Sequence, residues 1–209
     1  MPQGKFITFE GGEGVGKSTH IALAAEHLRQ KGIQVLQTRE PGGTPVGETI
    51  RYILQQGVDG SGAVPRAELL LFCASRAQLV EHQIRPALEQ GIWVLCDRYE
   101  DSTLAYQGAG RGFDRETVLT LSRFATNGLQ PHLTFLLDLD PMVGRARVAA
   151  RGGTDRIESE ALAFHQRLRA CFLELATAGS ERFVVVDSSR PQAEVSKFIL
   201  GELDRRMGA

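Results

Sequence analysis

Gly11-Gly12-Glu13-Gly14-Val15-Gly16-Lys17-Ser18 fits the spacing G-x-x-x-x-G-K-[ST]. Glycines at these points let the chain wrap with its backbone N–H groups facing inward, an anion nest at the start of a helix. Lys17 in that setting reaches the β- and γ-phosphates of a nucleotide, and the Ser18 hydroxyl is placed to ligate Mg²⁺. A glycine-rich turn is the plain alternative, and the flanks argue against it. Lys5-Phe6-Ile7-Thr8-Phe9-Glu10 alternates around apolar β-formers, and Ile21 to Leu28 is a good helix former. Strand, glycine loop and helix in that order predict a nucleoside triphosphate site over Gly11, Gly12, Glu13, Gly14, Val15, Gly16, Lys17, Ser18 and Thr19.

Further residues speak to what accepts the phosphoryl group. Asp97-Arg98-Tyr99 closes the apolar run Ile92-Trp93-Val94-Leu95-Cys96. An arginine there can fork onto two phosphoryl oxygens, or make a surface salt bridge. Asp97 can hold a magnesium-bound water or orient an acceptor, or simply brace a loop. Phe72 and Arg76 are four apart and share a helix face. The ring suits stacking on a flat base, and the donor-only guanidinium favours a ring carbonyl over an exocyclic amino group. The other reading is a core phenylalanine with an arginine paired to a buried carboxylate. Tyr106-Gln107 falls in a polar, glycine-rich stretch from Glu100 to Gly112, read as a loop. Gln107 can donate and accept at once, matching an imide edge, or can stabilise that loop. Arg145, Arg147, Arg151 and Arg156 crowd one segment in which Asp155 is the acid. A solvated helix face would explain them; a mobile lid over about 145–157, closing on a triphosphate and excluding water, explains why they gather.

Positioning these groups requires strands alternating with helices. Strands are expected at Lys5–Glu10, Ile33–Thr38, Ile92–Asp97, Leu133–Asp138 and Arg182–Val186. Helices are expected after Thr19, from Val46 to Gln56, from Arg66 to Gln90 with Pro86 kinking its last turns, from Asp114 to Thr126, from Pro141, from Glu158 to Ala178 and from Gln192. Such alternation predicts a single α/β domain with a parallel sheet covered on both faces, and ligands beyond the carboxyl ends of the strands. The Gly11–Ser18 loop (a P-loop by its spacing), Arg39-Glu40 and Asp97-Arg98-Tyr99 all fall there.

The bulk properties narrow the partners. The 209 residues carry 24 Lys plus Arg against 25 Asp plus Glu, so a net charge of −1 offers no field for a nucleic-acid polymer. No apolar run approaches a membrane span, and no signal peptide precedes the first strand. Cys73, Cys96 and Cys171 lack C-x-x-C spacing and sit in apolar company, as reduced core thiols of a cytoplasmic protein do. The five histidines show no metal-ligand spacing.

Taken together, Phe9-Glu10-Gly11 running into Gly16-Lys17-Ser18, Arg39-Glu40-Pro41-Gly42-Gly43-Thr44, Leu71-Phe72 with Ala74 and Arg76, Asp97-Arg98-Tyr99, Tyr106-Gln107-Gly108 and Asp155-Arg156-Ile157-Glu158 resemble the thymidylate kinase family. The resemblance covers essentially the whole chain. It implies a P-loop nucleoside-monophosphate-kinase-like three-layer fold, a five-stranded parallel sheet with helices on both faces. It also implies the reaction ATP + dTMP → ADP + dTDP with Mg²⁺, and a homodimer. Carried onto this chain, it has Phe72 stacking on thymine, Arg76 bonding O4 and Gln107 against the imide edge, with Ser102 and Thr103 lining the base pocket. Arg98 and Arg39 would hold the monophosphate with Glu40, Pro41 and Arg51 near it. Glu13 would approach the sugar 3′-hydroxyl, and Tyr106 would crowd the 2′ position. Asp97 and Ser18 would hold Mg²⁺, partly through water or nucleotide. The variable P-loop positions hold no arginine, so Arg147, Arg151 and Arg156 would supply it from the lid, the bacterial arrangement. A kinase for a deoxynucleoside or shikimate, and a regulatory NTPase switch, are the competing readings. The first would not need both Arg98 and Arg39, and the second is opposed by the arginine-rich segment and the lack of an N-K-x-D pattern.

Overall fold

The computed structural model describes residues 4–58, 61–152, 157 and 159–208, and of Arg151 the backbone alone. Five strands, β1 Phe6–Glu10, β2 Val35–Arg39, β3 Trp93–Asp97, β4 Leu133–Asp138 and β5 Phe183–Asp187, form one parallel sheet in the order β2-β3-β1-β4-β5. Central β1 is buried along its length, as an apolar run with helices on both sides should be.

The two-residue period of the strands divides the core. Ile7, Phe9, Leu95, Phe135 and Leu137 face α1 Lys17–Gln30 and α9 Gln192–Met207, meeting Ala24, Leu28, Ile199 and Leu203. On the opposite face Phe6, Val94 and Cys96 meet Leu79, Val80 and Ile84. Leu136 and Phe183 meet Leu69, Val118, Leu168 and Phe172 there. Those residues come from α3 Pro65–Leu79, α6 Arg115–Thr126 and α8 Leu162–Ala178, so the sheet lies between two helical layers. Thr44, Asp114 and Asp140 cap α2 Pro45–Gln56, α6 and α7 Pro141–Arg151 by accepting backbone N–H bonds.

Some expected elements differ. The long helix over 66–90 is α3, one wide π-helical stretch at Val80–Ile84, then α4 Arg85–Glu89. Pro86 lacks the N–H that an α-turn needs, and the helix widens just before it. The segment read as a loop is helical instead: α5 Glu100–Thr103 runs into a π-helical turn, Leu104–Gly110. Its glycines mark close packing, since a Cβ on Gly110 would lie 2.6 Å from the Phe164 ring. β2 starts at Val35 rather than Ile33, and β5 at Phe183 rather than Arg182. α8 starts at Leu162, and Glu158 lies outside the described residues.

Candidate active site

β1, β2 and β3 deliver their carboxyl ends to one crevice of about 360 Å³, within the range of small-molecule sites. Its walls include the P-loop from Glu13 to Thr19, Arg39-Glu40-Pro41, Arg51, Phe72, Arg76, Asp97-Arg98, Ser102-Thr103 and Tyr106-Gln107. The expected residues therefore converge from six separate stretches of sequence.

The P-loop turns through Gly14 and Gly16, with φ of 68° and 93°, and Gly16 stands at the N-terminus of α1. Lys17 Nζ donates to the carbonyls of Gly12 and Gly11 at 2.9 and 3.3 Å. Burial lowers the Lys17 pKa and neighbouring Arg98 adds to that, against the opposing pull of Asp97, Glu13 and Glu10.

Arg98 adopts φ of 69°, a strained conformation for a residue with a side chain. Its N–H is held by the Phe9 carbonyl. Its Nη1 donates to the Gly11 carbonyl at 2.8 Å and its Nη2 pairs with Glu13 at 2.6 Å, while its guanidinium lies 4.9 Å over the Tyr106 ring. Tyr106 also donates its hydroxyl to Glu13 at 2.7 Å. Burial alone would raise the Glu13 carboxyl. Arg98, Lys17 and Tyr106 outweigh that and hold it at about 2. Arg98 is thus fixed beside the glycine loop with its charge retained.

Phe72 is half-buried on the crevice wall. Arg76, only 1% exposed, forms an ion pair with buried Glu40 at 2.6 Å and donates to the Tyr99 carbonyl and the Thr103 hydroxyl. The paired-arginine reading is therefore correct as geometry, yet Nη1 of Arg76 has no hydrogen-bond partner. The Gln107 amide nitrogen donates to Glu68 at 3.0 Å, which fixes its orientation. Arg51 donates to the Pro41 carbonyl. Arg39 lines the crevice, but its guanidinium is turned onto Glu48 at 2.9 Å.

The arginine segment is less assembled. Arg147 leaves the crevice and donates to the carbonyls of Gly14 and Ser188. Arg145 lines a smaller cavity behind the P-loop with His165 and Arg169. Asp155, Arg156 and the Arg151 side chain lie outside the described residues, whereas Ile157 lines the crevice.

A divalent ion fits one corner. The Ser18 hydroxyl donates to Asp97 Oδ2 at 3.3 Å, and buried Asp97 Oδ1 has no partner. Among the described residues no group of three or more His, Cys, Asp or Glu could hold a metal alone. Such an ion would therefore depend on nucleotide phosphates and water, as Mg²⁺ commonly does.

Sequence reasoning passed over the buttress of this site. Glu68, 1% exposed on α3, pairs with Arg111, which also bonds Glu160. Asp101 pairs with Arg182 at 2.7 Å, and buried Glu10 accepts the Tyr99 N–H. A charge inside an apolar stripe was the available signal for Glu68, as it was for Arg76.

Residues 9–199 match the thymidylate kinase family. A thymidylate kinase of Deinococcus radiodurans is 50% identical over 207 residues, covering 99% of each chain. One of Magnetococcus marinus is 50% identical over 205 residues, covering 98% of this chain and 97% of its own. One of Thermomicrobium roseum is 53% identical over 192 residues, covering 91% and 90%. A parallel five-stranded α/β sheet, a glycine loop of G-x-x-x-x-G-K-[ST] spacing after its central strand and relatives matched along nearly their whole length lead to one conclusion: the chain belongs to the thymidylate kinase family.

Proposed function

We infer that the chain transfers the γ-phosphoryl group of ATP to dTMP, giving dTDP and ADP. The observation that carries this reading is the convergence of Lys17, Arg98, Phe72 and Arg76 on one crevice, with Arg98 anchored at the P-loop rather than at the surface. ATP would lay its phosphates on the Gly11–Thr19 loop, where Lys17 would exchange the Gly12 carbonyl for a phosphoryl oxygen. dTMP would stack its base on Phe72, with the open Nη1 of Arg76 toward O4 and the Gln107 amide toward the imide edge. Ser102 and Thr103 would complete the base wall, and Tyr106 would disfavour a ribose. Arg98, with Arg39, Glu40, Pro41 and Arg51 around it, would hold the acceptor phosphate. Arg39 would first have to release Glu48, an exposed pair of small strength.

The acceptor oxygen is already ionised at neutral pH and needs no general base. Catalysis then rests on in-line positioning and on spreading the developing charge. Mg²⁺, held by Ser18 and Asp97 together with the nucleotide, would neutralise phosphate charge. Lys17 and Arg98 would act beside it, with Arg147, Arg151 and Arg156 supplying further cations from a lid at about 145–157. We also propose a homodimer in the cytoplasm. Three buried free thiols suit a reducing compartment, and among the described residues no helix is long and apolar enough to cross a membrane.

The test is ADP release with ATP and Mg²⁺ against dTMP, dUMP, dCMP, dGMP and thymidine in turn. Strong turnover with dTMP and little with dCMP or thymidine is expected. Turnover with thymidine, or with none of the monophosphates, would leave the P-loop standing and remove the acceptor assignment.

A further inference from the structure

We propose that Glu10 is a positioning residue for the acceptor site, a buried carboxyl that acts through Ser102 on the guanidinium of Arg98. The proposal rests on Arg98 as the ligand of the acceptor phosphate. Glu10 is the last residue of β1 and continues the row of Phe6 and Thr8, so its side chain enters the layer occupied by α5. It is fully buried, at 0% exposure. Oε1 accepts the Tyr99 N–H at 2.7 Å, and Oε2 lies 2.6 Å from the Ser102 hydroxyl. Among the described residues it forms no ion pair; its neighbour Asp101 takes the charge of Arg182 at 2.7 Å. The charged or titratable groups besides Asp101 whose fields it feels or affects are Arg98, Arg182, Lys17, Tyr106 and Cys96.

Ser102 is the link. Arg98 Nη1 donates to its oxygen at 3.3 Å, so the hydroxyl lies between the guanidinium and Glu10. A hydroxyl has one hydrogen to give. With Glu10 ionised, that hydrogen must point down to the carboxylate, and a negative charge beneath Arg98 draws the guanidinium inward. With Glu10 neutral, its own proton can bond Ser102, and the Arg98 guanidinium, paired with Glu13 at the crevice, is not drawn inward. Burial, and then Asp101, push Glu10 up to about 8, against the opposing pull of Ser102, Arg98 and the Tyr99 N–H. Near neutral pH the neutral form prevails, and the site changes in the alkaline range.

The test compares the full-length wild type with Glu10→Gln, an uncharged near-isostere, measuring KM for dTMP and kcat from about pH 7 to about pH 9.5. The wild-type KM should rise about fivefold more than that of the variant across this range, with kcat following in parallel for both. Titration of the dTMP ring affects both proteins and cancels in the ratio. A ratio independent of pH would overturn the proposal. Ser102→Ala leaves the Glu10 carboxyl in place but removes both the link to Arg98 and the hydroxyl that pulls the Glu10 pKa down, so it should also flatten the alkaline rise; a profile parallel to wild type would count against the linkage. This variant decides the matter even if Glu10→Gln does not fold. Wild-type turnover of dTMP with an unchanged ratio removes the role of Glu10 alone, whereas no dTMP turnover at any pH removes the acceptor reading beneath it.

Discussion

Arg76 gives Nε and Nη2 to Glu40, Tyr99 and Thr103 and keeps Nη1 without a protein partner, so it both braces the wall and presents a donor. Arg76→Ala would strand the Glu40 carboxylate in the core and cost about 3–5 kcal/mol in a denaturant melt, beyond any loss of base recognition. Arg76→Lys keeps a cation for Glu40 but lacks the planar fork, and should lower the dTMP-over-dCMP ratio of kcat/KM by about tenfold. An unchanged ratio would end the base-reading role. Lys17→Ala should lower kcat on the order of 10²–10³-fold with the fold intact, because it removes the cation proposed to meet the phosphates. Glu13 makes a pH prediction. Its folded pKa of about 2 lies below the ordinary 4.5, so its stabilisation is complete above 4.5 and lost as pH falls through about 2. Glu13→Gln should flatten the acid limb of urea midpoint against pH in that window; an unaltered limb would mean that the Arg98 pair adds nothing.

At the scale of elements, the P-loop and α7 are pressed together by two glycines. A Cβ on Gly14 would lie 2.3 Å from the Gly144 carbonyl oxygen, and one on Gly144 would lie 2.4 Å from the Glu13 carbonyl oxygen. Gly144→Ala must therefore move α7 or the loop. It should cost about 1–3 kcal/mol of stability and raise KM for ATP more than KM for dTMP. Equal changes in both would show that the contact is general packing rather than support of the nucleotide side. Nothing in the sequence announced this contact, because a glycine in a helix reads only as a weak helix former. The Glu100–Gly112 stretch was misread for a related reason. Gly108 and Gly110 carry the mark of a loop, but at Gly110 the missing Cβ makes room for the Phe164 ring across α8. Such absences of side chains become legible only when the opposing element is known.

Across the whole molecule, the alternation of strands and helices and the gathering of polar residues at strand ends were readable from β1, β3 and the P-loop. The order β2-β3-β1-β4-β5 was not, because it depends on which strands pair, and each apolar run is equally content beside another. The same holds for Arg111 between Glu68 and Glu160, whose partners come from distant segments. The remaining question at this scale is what meets the outward face of the α3 and α6 layer. Phe124 on α6 is 88% exposed, and Leu70 on α3 is also exposed, on helices that pack side by side. Large apolar side chains left in water on neighbouring helices are what a partner surface supplies with cover. A second copy is the partner that the homodimer reading requires, so wild-type protein should show a light-scattering mass near twice 22.9 kDa. Phe124→Glu combined with Leu70→Glu places like charges opposite one another in a two-fold interface and should return the mass to 22.9 kDa with the circular dichroism unchanged. A wild-type monomer would sink the dimer itself, and a variant that stayed dimeric would move the interface away from α3 and α6.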